Sequence, residues 1–239
     1  MSHPNSWLPA NEASPKRKPI LCYVTDRRTL AAGEPGDAVQ LLVEKMETLA
    51  SAGVDWIQIR EKNLSGRALA ALTRDALRRV SQRSLPEDVQ TRVLVNDRLD
   101  VAIAERAHGV HLGENSLPVS EAKRLARAFQ SARILSGDFL VGVSCHSLEG
   151  AKSASADGAD YILYGPVFAT PSKAAYGAPQ GLERLAEVCT AVTIPVLAIG
   201  GISVENYASC LAAGASGIAA IRLFQDARNP AAIVRAILQ

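Results

Sequence analysis

The feature that most constrains the fold is an eightfold alternation of short apolar runs with longer amphipathic stretches after Pro19. The apolar runs are residues 20–25, 56–60, 92–96, 109–112, 140–144, 161–164, 195–199 and 217–221. Most are apolar on both faces, which is typical of parallel strands covered by helices. The amphipathic stretches are residues 38–52, 65–81, 99–105, 119–129, 148–156, 182–191, 204–213 and 231–238. Strict β/α alternation predicts a parallel sheet, and eight units predict an α/β protein with a closed (β/α)₈ TIM barrel.

A weak internal repeat supports these boundaries. Ala52-Gly-Val-Asp, Asp157-Gly-Ala-Asp and Ala213-Gly-Ala-Ser each end a predicted helix with glycine and lead into a strand, and glycine tolerates the left-handed turn that follows a helix. Asp37, Ser65 and Ser147 are predicted N-caps. An open doubly wound sheet is the rival fold, but no GxGxxG motif follows the first strand.

Composition excludes several classes of protein. The net charge of +2 gives no support for a nucleic-acid or anionic-membrane partner, and no apolar run approaches the roughly 18–20 residues of a membrane span. Residues 1–19 are polar and predict a disordered tail instead of a signal peptide, with a single barrel over residues 20–239. The four cysteines form no CxxC pair, so we expect neither a zinc cluster nor a disulfide framework. A reducing compartment fits this pattern better, and we therefore expect a cytoplasmic protein.

Polar side chains at the end of the second strand predict an anion site. In this run Gln58 and Arg60 share one face, and Lys62 continues the alternation if the chain stays extended. Barrel interiors are normally filled by Val, Ile and Leu, and unpaired buried cations are costly. The alternative is an internal ion-pair network with Glu61 or another acid.

The next three strand ends carry further candidates. Asn96 and Asp97 suit Mg²⁺, which often takes one or two carboxylates with substrate phosphates, although an ordinary Asn-Asp turn is the alternative. His111 lies within a strand and is expected to be a hydrogen-bonded core histidine. Ser144 and His146 follow the fifth strand, where His146 is either an acid/base or a structural residue before a helix.

The last three strand ends predict a lid after the sixth strand and a second anion site at the ends of the seventh and eighth. A long loop with Thr170, Ser172 and Lys173 follows the sixth strand and has the composition of a mobile lid. Gly200 and Gly201 end the seventh strand and Ile221 and Arg222 the eighth, where these barrels commonly bind phosphate; a tight turn is the alternative reading of the glycines. Two anion sites suit an enzyme that joins or processes two phosphorylated small molecules.

Taken together, the motifs resemble thiamine-phosphate synthase over residues 20–239. The resemblance rests on Gln58-x-Arg60-Glu61-Lys62, Val95-Asn96-Asp97, Gly109-Val-His-Leu-Gly113, Gly142-Val-Ser144-x-His146, Asp160-Tyr-x-x-x-Gly165-Pro-Val-Phe-x-Thr170-x-Ser172-Lys173 and Ile199-Gly200-Gly201-Ile202. Each motif alone is weak, and their common order and spacing carry the assignment.

The resemblance implies coupling of hydroxymethylpyrimidine diphosphate to thiazole phosphate, with release of pyrophosphate. It implies that the diphosphate substrate is held by Gln58, Arg60, Lys62, Asn96, Ser144 and Lys173, and that the thiazole phosphate is surrounded by Thr170, Ser172, Gly201, Ile221 and Arg222. Asp97 would bind Mg²⁺. Mg²⁺, Arg60, Lys62 and Lys173 would neutralise the leaving diphosphate.

Two positions depart from the synthase pattern. Ser116 lies where the synthases usually place a second metal-binding Asp, and Arg222 replaces a small residue. Glu114 precedes Ser116 by two residues and points the same way in an extended segment, so it is expected to substitute as a metal ligand.

Two other readings stay open. The TenI-like thiazole tautomerases share the fold and the thiazole phosphate site, need no metal, and use a histidine after the fifth strand, where this chain has His146. Lys62 and Asp97 favour the synthase, because a tautomerase has no evident need for a diphosphate clamp. A non-catalytic regulator that binds thiazole or thiamine phosphate is the third reading. A homo-oligomer is compatible with the apolar helix faces.

Overall fold

A computed structural model describes residues 18–30, 35–81, 90–135, 137–170 and 178–238. Its eight strands are β1 (Ile20–Val24), β2 (Trp56–Ile59), β3 (Arg92–Asn96), β4 (Gly109–Leu112), β5 (Leu140–Cys145), β6 (Tyr161–Tyr164), β7 (Val196–Ile199) and β8 (Gly217–Ala220). They form one closed parallel barrel in sequence order, with β8 paired to β1. The predicted (β/α)₈ barrel is confirmed, and every strand boundary lies within one residue of its prediction.

Helices cover the outside of the barrel. They are α1 (Pro35–Ala52), α2 (Gly66–Ser81), α3 (Leu99–Ala104), α4 (Val119–Ser131), α5 (Leu148–Ala156), α6 (Gly181–Ala191), α7 (Tyr207–Ala212), α8 (Arg222–Gln225) and α9 (Pro230–Leu238). A 3₁₀ turn spans Arg27–Thr29 after β1. Residues 1–17 of the predicted tail lie outside the described residues.

Two apolar layers follow from the alternation of side chains along each strand. The layer between strands and helices includes Ile57 and Ile59, as predicted. A smaller cluster fills the barrel itself, with Cys22, Leu94 and Tyr161 among its members. The inward faces of β2 to β5 end in polar residues, so this part of the carboxyl-end mouth is polar; these residues are Gln58, Asn96, His111 and Ser144.

The internal repeat has a structural role at the base of the barrel. Its fourth residue accepts a hydrogen bond from a neighbouring strand: Asp55 Oδ2 from Leu21 N at 2.8 Å, and Asp160 Oδ2 from Val141 N at 2.6 Å. Ser216 makes the corresponding link with its backbone oxygen, which accepts from Ile20 N at 3.0 Å. The repeat therefore satisfies amide groups where these strands begin.

Helix starts agree with the sequence at two of the three predicted caps. Ser147 Oγ accepts from Gly150 N at 3.1 Å, and Ser65 Oγ accepts from Ala68 N at 3.3 Å. The prediction for Asp37 was wrong, since α1 begins at Pro35 and Asp37 lies inside its first turn. Proline is well suited to the first turn of a helix because the missing N–H needs no partner there.

Two helices near the mouth differ from expectation. The helix predicted over residues 204–213 begins only at Tyr207, because Asn206 Oδ1 accepts from Ser203 N and Asn206 Nδ2 donates to Gly201 O, both at 2.9 Å. Such side-chain bonds compete with helical ones. The short helix α8 was not predicted, and four residues are too few to show a period.

All four cysteines are free thiols in the structure. Cys22, Cys145 and Cys210 are buried, and Cys189 is half-buried. Among the described residues, none of the helices has both the length and the apolar character needed to span a bilayer.

Candidate active site

The mouth of the barrel brings Gln58 and Asn96 together. These residues lie on the inward faces of the adjacent strands β2 and β3, and Gln58 Nε2 donates to Asn96 Oδ1 at 2.8 Å. Gln58 is only 2% exposed, and its Oε1 has no hydrogen-bond partner among the described residues. A buried amide oxygen without a partner is costly, so this atom marks a place where a ligand donor fits.

Glu61 does not pair with its cationic neighbours Arg60 and Lys62. Its Oε1 accepts from Thr25 Oγ1 at 2.7 Å, and its Oε2 accepts from Arg27 Nη1 at 2.7 Å. The carboxylate is buried and bonded within the loop after β1. The predicted alternative, in which Glu61 pairs with the cations of this strand end, is therefore not found, because Glu61 pairs with Arg27.

Arg60 and Lys62 lie close to different acidic side chains. The Arg60 backbone N–H donates to Thr25 Oγ1 at 2.9 Å, and the Arg60 charge contributes to lowering the pKa of Asp26. Lys62 is exposed, and its charge contributes to lowering the pKa of Asp97. Neither side chain forms an ion pair with another described residue. Both cations are available to an anionic ligand.

Asp97 has an unusual backbone conformation and a crowded carboxylate. Its φ of 61° is left-handed, which aspartate tolerates better than most residues. Asp97 Oδ1 accepts from Gly113 N at 3.0 Å and from the Ser116 hydroxyl, and Oδ2 accepts from Asn96 Nδ2 at 2.8 Å. Burial raises the pKa of Asp97, but the hydrogen bonds from Ser116 and Gly113 and the Lys62 charge outweigh it, so the net pKa is lowered. The carboxylate is ionised at neutral pH.

The donor set around Asp97 fits Mg²⁺ only together with a phosphorylated ligand. The described residues hold no cluster of three or more His, Cys, Asp or Glu side chains placed to bind a metal. Mg²⁺ is often bound by one or two carboxylates with substrate phosphates and water. The Ser116 hydroxyl lies beside the Asp97 carboxylate. Burial raises the pKa of the Cys145 thiol to about 12, and the charge of exposed Glu114 is close enough to contribute to this rise.

A buried polar chain crosses the barrel from β6 to β5. The Tyr161 hydroxyl is 3.1 Å from His111 Nδ1, and His111 Nε2 is 2.9 Å from Ser144 Oγ. His111 is 1% exposed, which agrees with the predicted hydrogen-bonded core histidine. Ser144, the last inward-facing residue of β5, thus bonds to His111 on the neighbouring strand.

His146 lies just beyond β5, and its Nδ1 bonds to the backbone oxygen of Gly165. The half-buried ring thereby links the end of β5 to the loop after β6. One ring nitrogen is occupied by backbone, so only Nε2 remains for chemistry.

The end of β7 lies against the loop after β6, with Val167 N donating to Ile199 O at 2.9 Å and Phe168 N to Gly200 O at 3.0 Å. Gly200 and Gly201 have φ values of 97° and 68°. A Cβ at Gly201 would lie 2.7 Å from Phe168 Cβ, so the predicted alternative of a tight turn accounts for at least this glycine. Ile221 and exposed Arg222 follow β8 at the start of α8.

The lid residues are described only in part. Thr170 is half-buried at the end of the described loop, whereas Ser172 and Lys173 lie outside the described residues.

A cluster at the end of β1 was missed by the sequence reasoning. Buried Gln225 of α8 accepts from Tyr23 Oη at 2.7 Å and donates to Asp26 O at 2.9 Å. Asp26 in turn accepts from Arg28 Nε at 2.8 Å, and this hydrogen bond is the main cause of its lowered pKa. The polar run Thr25-Asp26-Arg27-Arg28 after an apolar strand was the signal that could have identified this loop.

An apolar groove lies away from the mouth. It has a volume of about 690 Å³ and lies on the outer flank between α3 and α4. Its lining includes Ile103, Leu117, Leu125, Phe129 and Ile134. None of the residues predicted for the site lines it.

Comparison with known proteins gives consistent matches. The family model described as "Thiamine monophosphate synthase" matches residues 31–224. A thiamine-phosphate synthase of Methanoculleus marisnigri is 45% identical over 72% of this chain and 74% of its own. One of Roseiflexus castenholzii is 39% identical over 93% of this chain and 88% of its own. Among solved structures, thiamine phosphate pyrophosphorylase from Pyrococcus furiosus superposes with a TM-score of 0.72 at 30% identity, covering 94% of this chain and 99% of that chain.

Proposed function

The chain belongs to the thiamine monophosphate synthase family, and we propose that its barrel mouth joins hydroxymethylpyrimidine diphosphate to thiazole phosphate. The products are thiamine phosphate and pyrophosphate, which makes the protein a transferase of thiamine biosynthesis. The observation that carries the proposal is that Glu61 is bonded to Arg27. Arg60 and Lys62 are therefore left for an anionic substrate.

The diphosphate substrate binds at the ends of β2, β3 and β5. Gln58 and Asn96 contact the pyrimidine portion, where the unpartnered Gln58 Oε1 accepts a hydrogen bond from the ligand. Arg60, Lys62 and the Ser144 hydroxyl bind the diphosphate, and Lys173 of the loop after β6 joins them. Charge-assisted hydrogen bonds of this kind are about twice as strong as neutral ones.

Asp97 holds Mg²⁺, with the Ser116 hydroxyl and Glu114 completing the protein side of the site. The lowered pKa of Asp97 supports this role, because a metal ligand must be deprotonated. When bound, Mg²⁺ neutralises charge on the diphosphate oxygens.

The thiazole phosphate binds at the ends of β7 and β8. Backbone at Gly200, Gly201 and Ile221 surrounds the phosphate, Arg222 supplies a cation, and Thr170 and Ser172 supply hydroxyl groups. The exposed position of Arg222 supports this assignment.

The reaction needs a stabilised leaving group and an aligned nucleophile. The bond between the pyrimidine methylene carbon and the diphosphate oxygen breaks, and pyrophosphate leaves with the electron pair. The thiazole nitrogen then donates its lone pair to the carbocation-like methylene and forms the new C–N bond. Arg60, Lys62, Lys173 and Ser144 stabilise the leaving charge, while the two anion sites hold both substrates in line.

We also propose a structural role for His146 in this reaction. The bond from its Nδ1 to the Gly165 oxygen supports this role, since it links two loops of the mouth. The four free thiols support a reducing compartment, and we propose the cytoplasm.

A coupling assay tests the function. Purified protein is mixed with both substrates and Mg²⁺, and thiamine phosphate is followed by chromatography. Lys62→Met should lower kcat by roughly 10²-fold, as is typical when one group that stabilises developing charge is removed. Lys152→Met on the exposed face of α5 is the matched control and should leave kcat unchanged.

Absence of product from folded protein, with a known synthase active alongside, would exclude the coupling reaction. In that case the thiazole carboxylate phosphate is offered without metal. Isomerisation that is lost in His146→Gln would assign the tautomerase, whereas phosphate binding without turnover would assign a regulator.

A further inference from the structure

The polar chain Tyr161–His111–Ser144 lies in the barrel, and only its Ser144 end has been given a role in the reaction. Its three residues lie on the adjacent strands β6, β4 and β5. Only Ser144 at its upper end is partly exposed to the mouth. Buried polar networks are costly unless every member is bonded, so this one requires an explanation.

Glycine on the central strand makes the chain possible. In the register of the sheet, Gly142 of β5 lies between His111 of β4 and Tyr161 of β6. A Cβ at Gly142 would overlap the Tyr161 ring. Because Gly142 has no side chain, the tyrosine ring crosses β5 and its hydroxyl reaches the histidine. The Trp56 ring packs against the Tyr161 ring, with ring centroids 4.6 Å apart.

The hydrogen atoms on Tyr161 and His111 determine which group donates in each hydrogen bond of this polar chain. Burial raises the pKa of Tyr161 well above its ordinary value, so the phenol keeps its proton. His111 Nδ1 is its only hydrogen-bond partner among the described residues. If Nδ1 carried a hydrogen, the buried Tyr161 O–H would lack an acceptor, which costs about 1–3 kcal/mol. Tyr161 therefore donates to Nδ1, and the imidazole proton resides on Nε2.

This tautomer decides what Ser144 offers to a ligand. With its proton on Nε2, His111 donates to Ser144 Oγ across 2.9 Å. The serine oxygen is then an acceptor on its buried side, and its own hydrogen is free to point toward the mouth. In the opposite tautomer Ser144 would donate to His111 and present only lone pairs, which repel an anion.

We propose that Tyr161 and His111 are positioning residues that hold the Ser144 hydroxyl as a hydrogen-bond donor toward an anionic phosphate oxygen. The identity of that anion as the substrate diphosphate rests on the proposed function. The direction of the hydrogen bonds does not, because it follows from the contacts of Tyr161 with His111 and of His111 with Ser144.

The tautomer is measured directly by long-range ¹H–¹⁵N correlation spectra of protein labelled with ¹⁵N-histidine. The chain has four histidines, and the signals lost in His111→Gln assign this ring. We expect a neutral ring protonated at Nε2 in the wild type. In Tyr161→Phe, which keeps the ring in place, a population protonated at Nδ1 should appear.

A double-mutant cycle tests whether Tyr161 acts through Ser144. Tyr161→Phe alone should lower kcat about 10-fold with little change in KM, a loss typical of removing a group that orients a functional residue. In a Ser144→Ala background the same change should cost less than about 2-fold, because the hydroxyl it orients is absent. Tyr164→Phe is the matched control: it removes a buried hydroxyl from the outward face of the same strand, 3.4 Å from Gln180.

A wild-type ring protonated at Nδ1 would overturn the proposal, as would additive losses in the double variant. These outcomes are distinguishable from failure of the proposed function. Wild-type protein without coupling activity would contradict the proposed function. The spectra would still show which nitrogen of His111 carries the proton, and so which groups donate in the polar chain. Calorimetric titration with pyrophosphate then repeats the cycle with binding in place of kcat.

Discussion

Asp97 shows how much a single residue depends on its neighbours in space. Its sequence context suits both an ordinary turn and a metal ligand. The structure adds the left-handed backbone and the hydrogen bonds from Ser116 and Gly113, which come from the loop after β4. These contacts keep the carboxylate ionised, and they could not be derived from the run Val95-Asn96-Asp97 alone.

Glu114→Gln should weaken binding of Mn²⁺ in the presence of pyrophosphate by roughly 10-fold. This is the lower end of the roughly 10–100-fold loss of affinity typical of changes close to a metal ligand. The reason is the loss of one of two carboxylates assigned to the site. Mn²⁺ binding is followed by electron paramagnetic resonance, and Glu121→Gln on α4 is the control. Unchanged affinity would assign the site to Asp97 and Ser116 without Glu114.

At the scale of elements, the mouth is assembled by strands whose inward positions alternate small and large. Gly109 precedes His111 and Gly142 precedes Ser144, each by two residues on the same face. A side chain at either glycine would overlap its neighbours. Glycine at these two positions therefore leaves the space that the neighbouring side chains need, and His111 and Ser144 follow on the same faces nearer the mouth.

Gly142→Ala should lower the free energy of unfolding by about 1–3 kcal/mol, as expected for overpacking of a barrel interior. The added methyl group would occupy the space of the Tyr161 ring. Urea unfolding measures the change. In a Tyr161→Ala background the cost should largely disappear; an equal cost in both backgrounds would mean that the ring is not the obstacle.

Ser147→Ala should lower the free energy of unfolding by about 1 kcal/mol, because Ser147 Oγ caps α5. Ser147→Gly is expected to cost only a few tenths of that amount. Both variants are compared by chemical denaturation. Equal losses in the two variants would show that the side-chain hydrogen bond is not the stabilising feature.

At the scale of the whole molecule, the base of the barrel is joined by contacts between distant parts of the sequence. Asp55 accepts from Leu21 N, and Lys18 lies 3.5 Å from its carboxylate. Burial raises the pKa of Asp55, while the Leu21 amide and Lys18 partly oppose this. The carboxylate is thus a charge that folding removes from water.

Because the folded pKa of Asp55 lies above the unfolded value, the folded state binds its proton more readily. The stability of the wild type relative to Asp55→Asn should therefore fall as pH rises from about 4 through the folded pKa. Asparagine keeps an oxygen acceptor for Leu21 N but has no titrating group. Thermal unfolding across this pH range measures the difference, with Asp75→Asn on the exposed face of α2 as control. A difference that stays constant with pH would contradict the raised pKa.

The sequence by itself determined the eight strands, their parallel order and the face on which Gln58 lies. These features follow from local alternation of apolar and polar residues, which each segment carries independently of the rest. It also placed the candidate residues at strand ends, since a parallel barrel brings all carboxyl ends to one mouth.

Only the tertiary structure decided which partners these side chains have. The bond of Glu61 to Arg27, the contact of Ser116 with Asp97 and the chain from Tyr161 through His111 to Ser144 each join separate strands or loops. A hydrogen bond depends on distances of a few tenths of an ångström and on angles between groups far apart in the chain. Periodicity in the sequence determines neither these distances nor these angles. Both are determined when the barrel closes and brings the strand ends together.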